Sequence, residues 1–361
     1  MKKRKERTCI INPFYDMQKI IIPVIAIFLS LTIGAIIIKA IGADPFLAYK
    51  ILFKGAFGSI NSMGEILVKA TPLILTGLSF AFAFRVGLFN IGAEGQLYMG
   101  GFFATLVGIS FKGLPMIIHL PLVIISAFIG GGLWGLLAGW LKVKFEANEI
   151  ITTVMLNYVA IFWVSYLVTG PMKAPPGTFP QSELVATSAQ LPRILPSTRV
   201  HLGLIIALIC IVLYYIFFQK MILGYETRIT GKNMNASKYA GMNSERIMFF
   251  VMFISGGMAG LAGASEILGV QGRLLADFSP GYGFSGIVVS LVGMNSPFGI
   301  FLTAILFGIL KSGGNLMQMI ARVPVAIIYI IEGLVVIFVL AGQGIRLKIK
   351  YLINLKKYDQ G

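Results

Sequence analysis

The stretch Gly87-Leu-Phe-Asn-Ile-Gly-Ala-Glu-Gly-Gln-Leu-Tyr-Met-Gly-Gly101 decides how the chain must be read. It places Asn90, Glu94 and Gln96 between two apolar runs, Pro72–Phe84 and Leu97–Phe111, and five of its fifteen residues are glycine. A charged side chain at the centre of a bilayer costs about 2.5–3.5 kcal/mol on insertion scales. Glu94 therefore has to face a protein interior or a water-filled path. Glycines allow close backbone approach and allow a helix to break where neighbours satisfy the freed groups. Two readings follow: a polar station on a substrate path, or a tight helix–helix contact around a hydrogen-bonded Glu94.

The flanking runs are typical of the whole chain. Of 361 residues, 57 % are hydrophobic and 12 % charged, against about 25 % charged in soluble domains. The mean hydropathy is +0.86, and runs near the length needed to span a bilayer recur throughout. The expected fold is all-α: a polytopic transmembrane helical bundle with broken, glycine-rich helices. The net charge of +16 fits Lys and Arg concentrated on cytoplasmic segments better than it fits nucleic-acid binding. Cys9 and Cys210 are placed as neither a disulfide nor a metal site. With His119 and His201 the only histidines, no metal or acid–base centre is expected.

Working outward, residues 1–19 form a basic tail that holds the N-terminus in the cytoplasm, and 20–343 form a single transmembrane domain. The first apolar run is retained as an anchor, since no small-residue cleavage pattern follows it. Spans are expected at Ile20–Ile41, Met63–Phe84, from the central stretch to Phe111, and at Leu120–Leu141, Ile150–Thr169, His201–Gln219, Ile247–Leu268 and Val323–Leu340. Residues 44–61 are expected as an interfacial helix. Gly130, Gly131, Gly132, Gly135 and Gly139 are expected at close helix contacts. Residues 170–200, rich in proline, form an external loop. The run Phe284–Leu310 is broken at Gly293–Gly299 by proline and asparagine. Residues 344–361 form a second basic cytoplasmic tail, so an even number of crossings is required. About ten crossings result, eight full spans plus the broken pair; a re-entrant pair would leave eight.

The loop 220–246 carries a separate signal. Asn235 can cap a short helix from Ala236 to Ala240, and Gly241 can end it. Such an element is either a docking site for a cytoplasmic partner or a solvated basic loop.

Phe89-Asn-Ile-Gly-Ala-Glu-Gly-Gln96 resembles the signature of permease subunits of ATP-binding cassette importers, in the branch for simple sugars, branched-chain amino acids and nucleosides. Asn148-Glu-Ile-Ile-Thr-Thr-Val-Met-Leu-Asn-Tyr158 and Gly281-Tyr-Gly-Phe-Ser-Gly-Ile-Val-Val-Ser-Leu-Val-Gly293 resemble the nucleoside-type members. Residues Gly231–Asn243 are similar to the family's coupling loop, which sits on the ATPase subunit. The resemblance covers about Asp44 to Leu340. It implies a transport subunit without cofactor or catalytic residues. It also implies three partners: a cytoplasmic ATPase, a second permease subunit that completes the path, and an extracellular substrate-binding protein. No Gly-x-x-x-x-Gly-Lys-Ser/Thr loop is present, in keeping with ATP hydrolysis by a partner.

On that reading Asn90, Glu94, Gln96, Asn157, Glu266, Tyr282, Phe284 and Asn295 are candidate path residues, with helix capping or packing as their plainer role. Gly231, Asn235, Ala236, Ser237, Tyr239, Ala240 and Gly241 are candidates for ATPase coupling. A ribose-type sugar permease or an amino-acid permease would share this architecture. An ion-coupled secondary transporter would need no ATPase.

Overall fold

The computed structural model describes residues 13–358. Thirteen α-helices follow one another among these residues: α1 Pro13–Ala40, α2 Pro45–Phe57, α3 Ile60–Arg85, α4 Ala93–Ser110, α5 Met116–Phe145, α6 Glu149–Thr169, α7 Gly203–Lys220, α8 Ile222–Lys232, α9 Met234–Tyr239, α10 Ser244–Glu266, α11 Tyr282–Val292, α12 Pro297–Ala321 and α13 Ala326–Tyr358. A π-turn, Ile267–Gln271, extends α10. Only two isolated β-bridges occur among the described residues. Among the described residues seven helices are long and apolar enough to cross a membrane: the Ile21–Ala40 part of α1, α3, α5, α6, α7, α10 with its π-turn, and α12. The helix Tyr282–Val292 and the segment Ala326–Gly342 are apolar but shorter.

The centre of the bundle is α3, α4, α5 and α10, and small residues explain why. Gly131 and Gly135 of α5 lie against Gly256 and Gly260 of α10, while Gly263 of α10 lies against the Leu97 carbonyl of α4. A Cβ at Gly260 would run into the Ala127 carbonyl, and one at Gly100 into Gly260 itself. Without side chains between them the backbones approach closely and gain dispersion contacts that lipid cannot match. The expected close-packing positions on α5 are thus observed: Gly131, Gly132, Gly135 and Gly139 face α10, and Gly130 faces Phe103 of α4. α3 is buried over most of its length, so it lies inside the bundle.

Several boundaries differ from the sequence expectation. The helix expected over 44–61 is α2, Pro45–Phe57, and one face of it packs on the bundle. Its Ala48, Ile51, Leu52, Gly55 and Ala56 are buried, with Gly55 and Gly313 of α12 at a close crossing. The break in the last third falls where proline and asparagine placed it. However, α12 continues to Ala321, so a half-length helix precedes a full-length one and the two are not equal short crossings. α13 continues past residue 344 to Tyr358. The N-terminal basic tail, from Lys2 to Arg7, lies outside the described residues.

Candidate functional site

The central stretch forms the turn into α4. The N-cap position of α4 is Gly92, which has no side chain to satisfy the first helical N–H groups. Asn157 of α6 supplies what is missing: its Oδ1 accepts from the Gly95 N–H at 2.8 Å and its Nδ2 donates to the Ile91 carbonyl at 2.9 Å. Asn90 closes the turn from the other side. Its Oδ1 accepts from the Gly92 N–H at 2.9 Å, and its Nδ2 donates to Gln96 Oε1 and to Ser255 Oγ at 2.9 Å. Ser255 in turn donates to the Ser79 carbonyl at 2.7 Å. Asn90, Gln96, Asn157, Ser79 and Ser255 are all buried. Buried amides whose donors and acceptors are matched in this way fix one arrangement of helices.

Glu94 faces a different neighbour. Its Oε2 accepts from the Gly283 N–H at 2.6 Å, and the residue is only 2 % exposed. Gly283 is the second residue of α11, whose N-cap Gly281 has a left-handed backbone, φ 80°, and offers no side-chain cap. Glu94 is therefore the N-terminal cap of α11, delivered from α4. A carboxylate there meets both the free N–H groups and the positive end of the helix dipole. A Cβ at Gly283 would collide with the Glu94 backbone. The central stretch and the Gly-Tyr-Gly motif are thus two halves of one contact.

The N-terminus of α11 also borders a charged cluster that includes side chains not singled out from sequence. Tyr282 and Glu266 are buried there, and Phe284 is 41 % exposed. Glu266 lies within electrostatic reach of Arg199, Glu65 and Lys69. Gln271 of the π-turn donates to the Phe278 carbonyl at 2.8 Å and approaches Glu266 Oε1 at 3.5 Å. Arg199 grips Glu65 with two hydrogen bonds of 2.7 and 2.6 Å, and this pairing raises the pKa of the loop residue Arg199. Lys69 Nζ donates to the Lys311 carbonyl at 2.8 Å. Lys311 pairs with Glu332 of α13 at 3.4 Å, both nearly buried, and its ammonium stands 4.8 Å from the centre of the Tyr329 ring. The signal for Lys69 and Glu332 was in the sequence, since each is a charge inside an apolar span.

Asn295 is not part of this cluster. It stands at the other end of α11, in the break before α12, with φ 51° beside Met294 at φ 56°. Ser290 Oγ donates to its Oδ1 at 2.8 Å, and Tyr214 OH and Arg85 Nη2 donate to its carbonyl at 2.9 and 3.0 Å. The eight path candidates therefore fall into three groups: a buried lock around α4, a charged cluster at the start of α11, and the break at its end.

The segment 220–246 is not a loop. α8 packs on the ends of α3, α7 and α10, and α9 follows at once. Asn233, not Asn235, caps α9; its Oδ1 accepts from the Ala236 N–H at 3.0 Å. The cap falls two residues earlier because α8 ends at Lys232 and the chain turns directly into α9 at Asn233. Ser237 is buried and shares a 2.8 Å hydrogen bond with Thr230, which locks α9 onto α8. Gly241 follows α9 with φ 78°, the left-handed conformation glycine adopts without penalty. Gly231 touches the backbone of Arg85 and Val86. Asn235, Ala236 and Ala240 are exposed, and Tyr239 is 94 % exposed.

This architecture, of apolar helices locked by buried polar contacts, is that of a polytopic membrane helical bundle. Residues 62–340 match the family described as branched-chain amino acid transport system / permease component, and the chain belongs to that family. It is 40 % identical to the guanosine ABC transporter permease protein NupP of Bacillus subtilis, over 91 % of this chain and 95 % of that one. Identity is 37 % to the glucose ABC transporter permease protein TsgB13 of Haloferax volcanii, over 89 % and 87 % of the two chains. It is 35 % to the nucleoside ABC transporter permease protein NupB of Lactococcus lactis, over 89 % and 91 %. The chain is the permease subunit of an ATP-binding cassette importer, a multi-pass protein of the plasma membrane and not an enzyme. As such it works with an ATPase and a substrate-binding protein.

Proposed function

We propose that this permease carries nucleosides. The observation that carries the reading is the 40 % identity to the guanosine permease over nearly the full length of both chains, supported by the similarity to the nucleoside permease NupB. The likeness to the glucose permease favours a second reading, a sugar cargo, and the two share a ring bearing vicinal hydroxyls. Uptake of labelled guanosine by cells with and without this gene, competed with adenosine or glucose, separates them. We expect guanosine uptake to be lost with the gene, competed by adenosine and not by glucose. Loss of glucose uptake alone would replace nucleosides with sugars. Uptake that survives ATP depletion and collapses with the proton gradient would contradict ATP-driven import by this chain.

On this reading both termini and the α8–α9 segment are cytoplasmic, residues 170–200 and the π-turn end are external, and the helices make about ten crossings. Two permease subunits form the path between them. The charged cluster at the start of α11, with Tyr282, Phe284, Glu266, Lys69, Lys311 and Tyr329, offers cargo both hydrogen-bonding groups and rings to stack on. Stacking is worth about 1–3 kcal/mol per base in proteins that bind single strands.

The exposed face of α8–α9 docks the ATPase. Tyr239 is the side chain to change, because at 94 % exposure it contributes little to this chain's own packing. Tyr239→Asp should leave the permease at its normal level in the membrane while the ATPase no longer co-purifies with it. Unchanged co-purification would remove this face from the docking site.

A further inference from the structure

Arg85 ends α3 and reaches across to two other elements. Its Nη2 donates to the Asn295 carbonyl at 3.0 Å, its Nε donates to Tyr214 OH at 3.3 Å, and Tyr214 OH donates to the same Asn295 carbonyl at 2.9 Å. The guanidinium also stands 5.5 Å from the centre of the Phe218 ring. Two helices, α3 and α7, thus converge on one carbonyl, and that carbonyl belongs to the break between α11 and α12. The break, between Val292 and Pro297, contains two consecutive left-handed residues, Met294 and Asn295, neither of them glycine. A segment in that conformation persists only when its surroundings hold it, and such segments serve as hinges.

The backbone of Arg85 has a second neighbour. Gly231, near the end of α8, touches the Arg85 carbonyl and Val86, and any side chain at position 231 would collide there. Arg85 therefore meets α8 with its backbone and the hinge with its side chain. At its far end α11 is held by Glu94 through the Gly283 N–H. From α8 to the charged cluster the contacts are continuous: Gly231, Arg85, Asn295, α11, Glu94.

We propose that Arg85 is the positioning residue that couples the docking segment to the α11–α12 hinge, so that displacement of α8 re-aims α11 and the charged cluster at its start. The proposal rests on the reading of α8–α9 as the ATPase docking face. Arginine suits the role because its planar fork makes two directed hydrogen bonds at once, which a lysine ammonium cannot reproduce in the same geometry. Tyr214 is the auxiliary support. It is 1 % exposed and its ring packs on Phe82 and Phe218, so Tyr214→Phe removes one hydroxyl and leaves the packing.

The test uses the complete transporter, with ATPase and binding protein, in lipid nanodiscs. Guanosine transported per ATP hydrolysed is measured, with glucose in its place if glucose is the cargo found by uptake. Co-purification of the ATPase is recorded alongside. In Arg85→Gln the ATPase should remain bound while transport per ATP falls about tenfold, within the ordinary range of coupling between sites. Arg85→Lys should recover only part of the loss, and Tyr214→Phe should show a smaller fall in the same direction. The double variant should fall below Arg85→Gln alone, since it leaves the Asn295 carbonyl with neither side-chain donor. A wild-type ratio in Arg85→Gln overturns the proposal. If Arg85→Gln fails to accumulate, Tyr214→Phe decides, and a wild-type ratio there is equally fatal. Tyr239→Asp that leaves the ATPase bound would refute the docking reading separately, whatever the Arg85 series shows.

Discussion

Glu94→Ala should reduce uptake at least tenfold at unchanged membrane level, and Glu94→Gln should retain a measurable part of it. The carboxylate is buried, and it is the side-chain partner of the Gly283 N–H at the start of an eleven-residue helix whose N-cap residue, Gly281, has no side chain to offer. A hydrogen bond to a charged group is worth about 1.5–3 kcal/mol, and a buried N–H left unpaired adds its own cost. A loss of about 2 kcal/mol is about a thirtyfold change in a two-state equilibrium, enough to free the start of α11 without unfolding the bundle. Glutamine keeps a carbonyl oxygen for the Gly283 N–H and loses only the charge that favours the helix dipole, about 0.3–1 kcal/mol. Uptake normalised to permease in the membrane is the measurement. Equal loss in the alanine and glutamine variants would mean that the charge itself matters and the cap does not. Wild-type uptake in both would leave Glu94 with neither role.

Gly260→Val should nearly eliminate folded permease from the membrane. Position 260 touches the Ala127 carbonyl and Gly131 of α5, and Gly100 of α4 faces it. These are backbone atoms and cannot rotate away, so α10 has to move off both neighbours at once. Overpacking typically costs about 1–3 kcal/mol where side chains can adjust, and here they cannot. Gly333→Ala is the control, because nothing lies within 4 Å of a Cβ at that position. Thermal unfolding followed by fluorescence-detected size exclusion should show the valine variant aggregated and the alanine variant at the wild-type midpoint. A valine variant with normal accumulation would show that α4, α5 and α10 pack less closely than these contacts require.

Much of this was readable along the chain. Apolar runs of bilayer length mark the membrane helices, and charge depletion excludes a soluble fold. Glycines at Gly131, Gly135, Gly256 and Gly260 mark close approach, and Pro297 with Asn295 marks the break. The short helix after Lys220 was visible through its small and capping residues, although its cap lies at Asn233. These signals are local: each depends on a residue and its near neighbours in sequence.

What escaped the sequence is the direction in which each helix faces. Spans such as α5, α6 and α7 are apolar nearly all round, so no polar stripe distinguishes the buried face from the lipid face. Nothing local to either residue shows that the Asn157 amide caps α4 or that the Arg85 fork reaches the Asn295 carbonyl. Glu94 and Gly283 lie 189 residues apart, and Lys69 and Lys311 lie 242 apart. The sequence by itself determined that this is a helical membrane protein of broken, glycine-rich spans with a short capped helix after Lys220. Only the tertiary structure decided which polar groups meet, because in a membrane a buried donor or acceptor must find its partner within the protein, and that partner is set by helix packing and not by sequence distance.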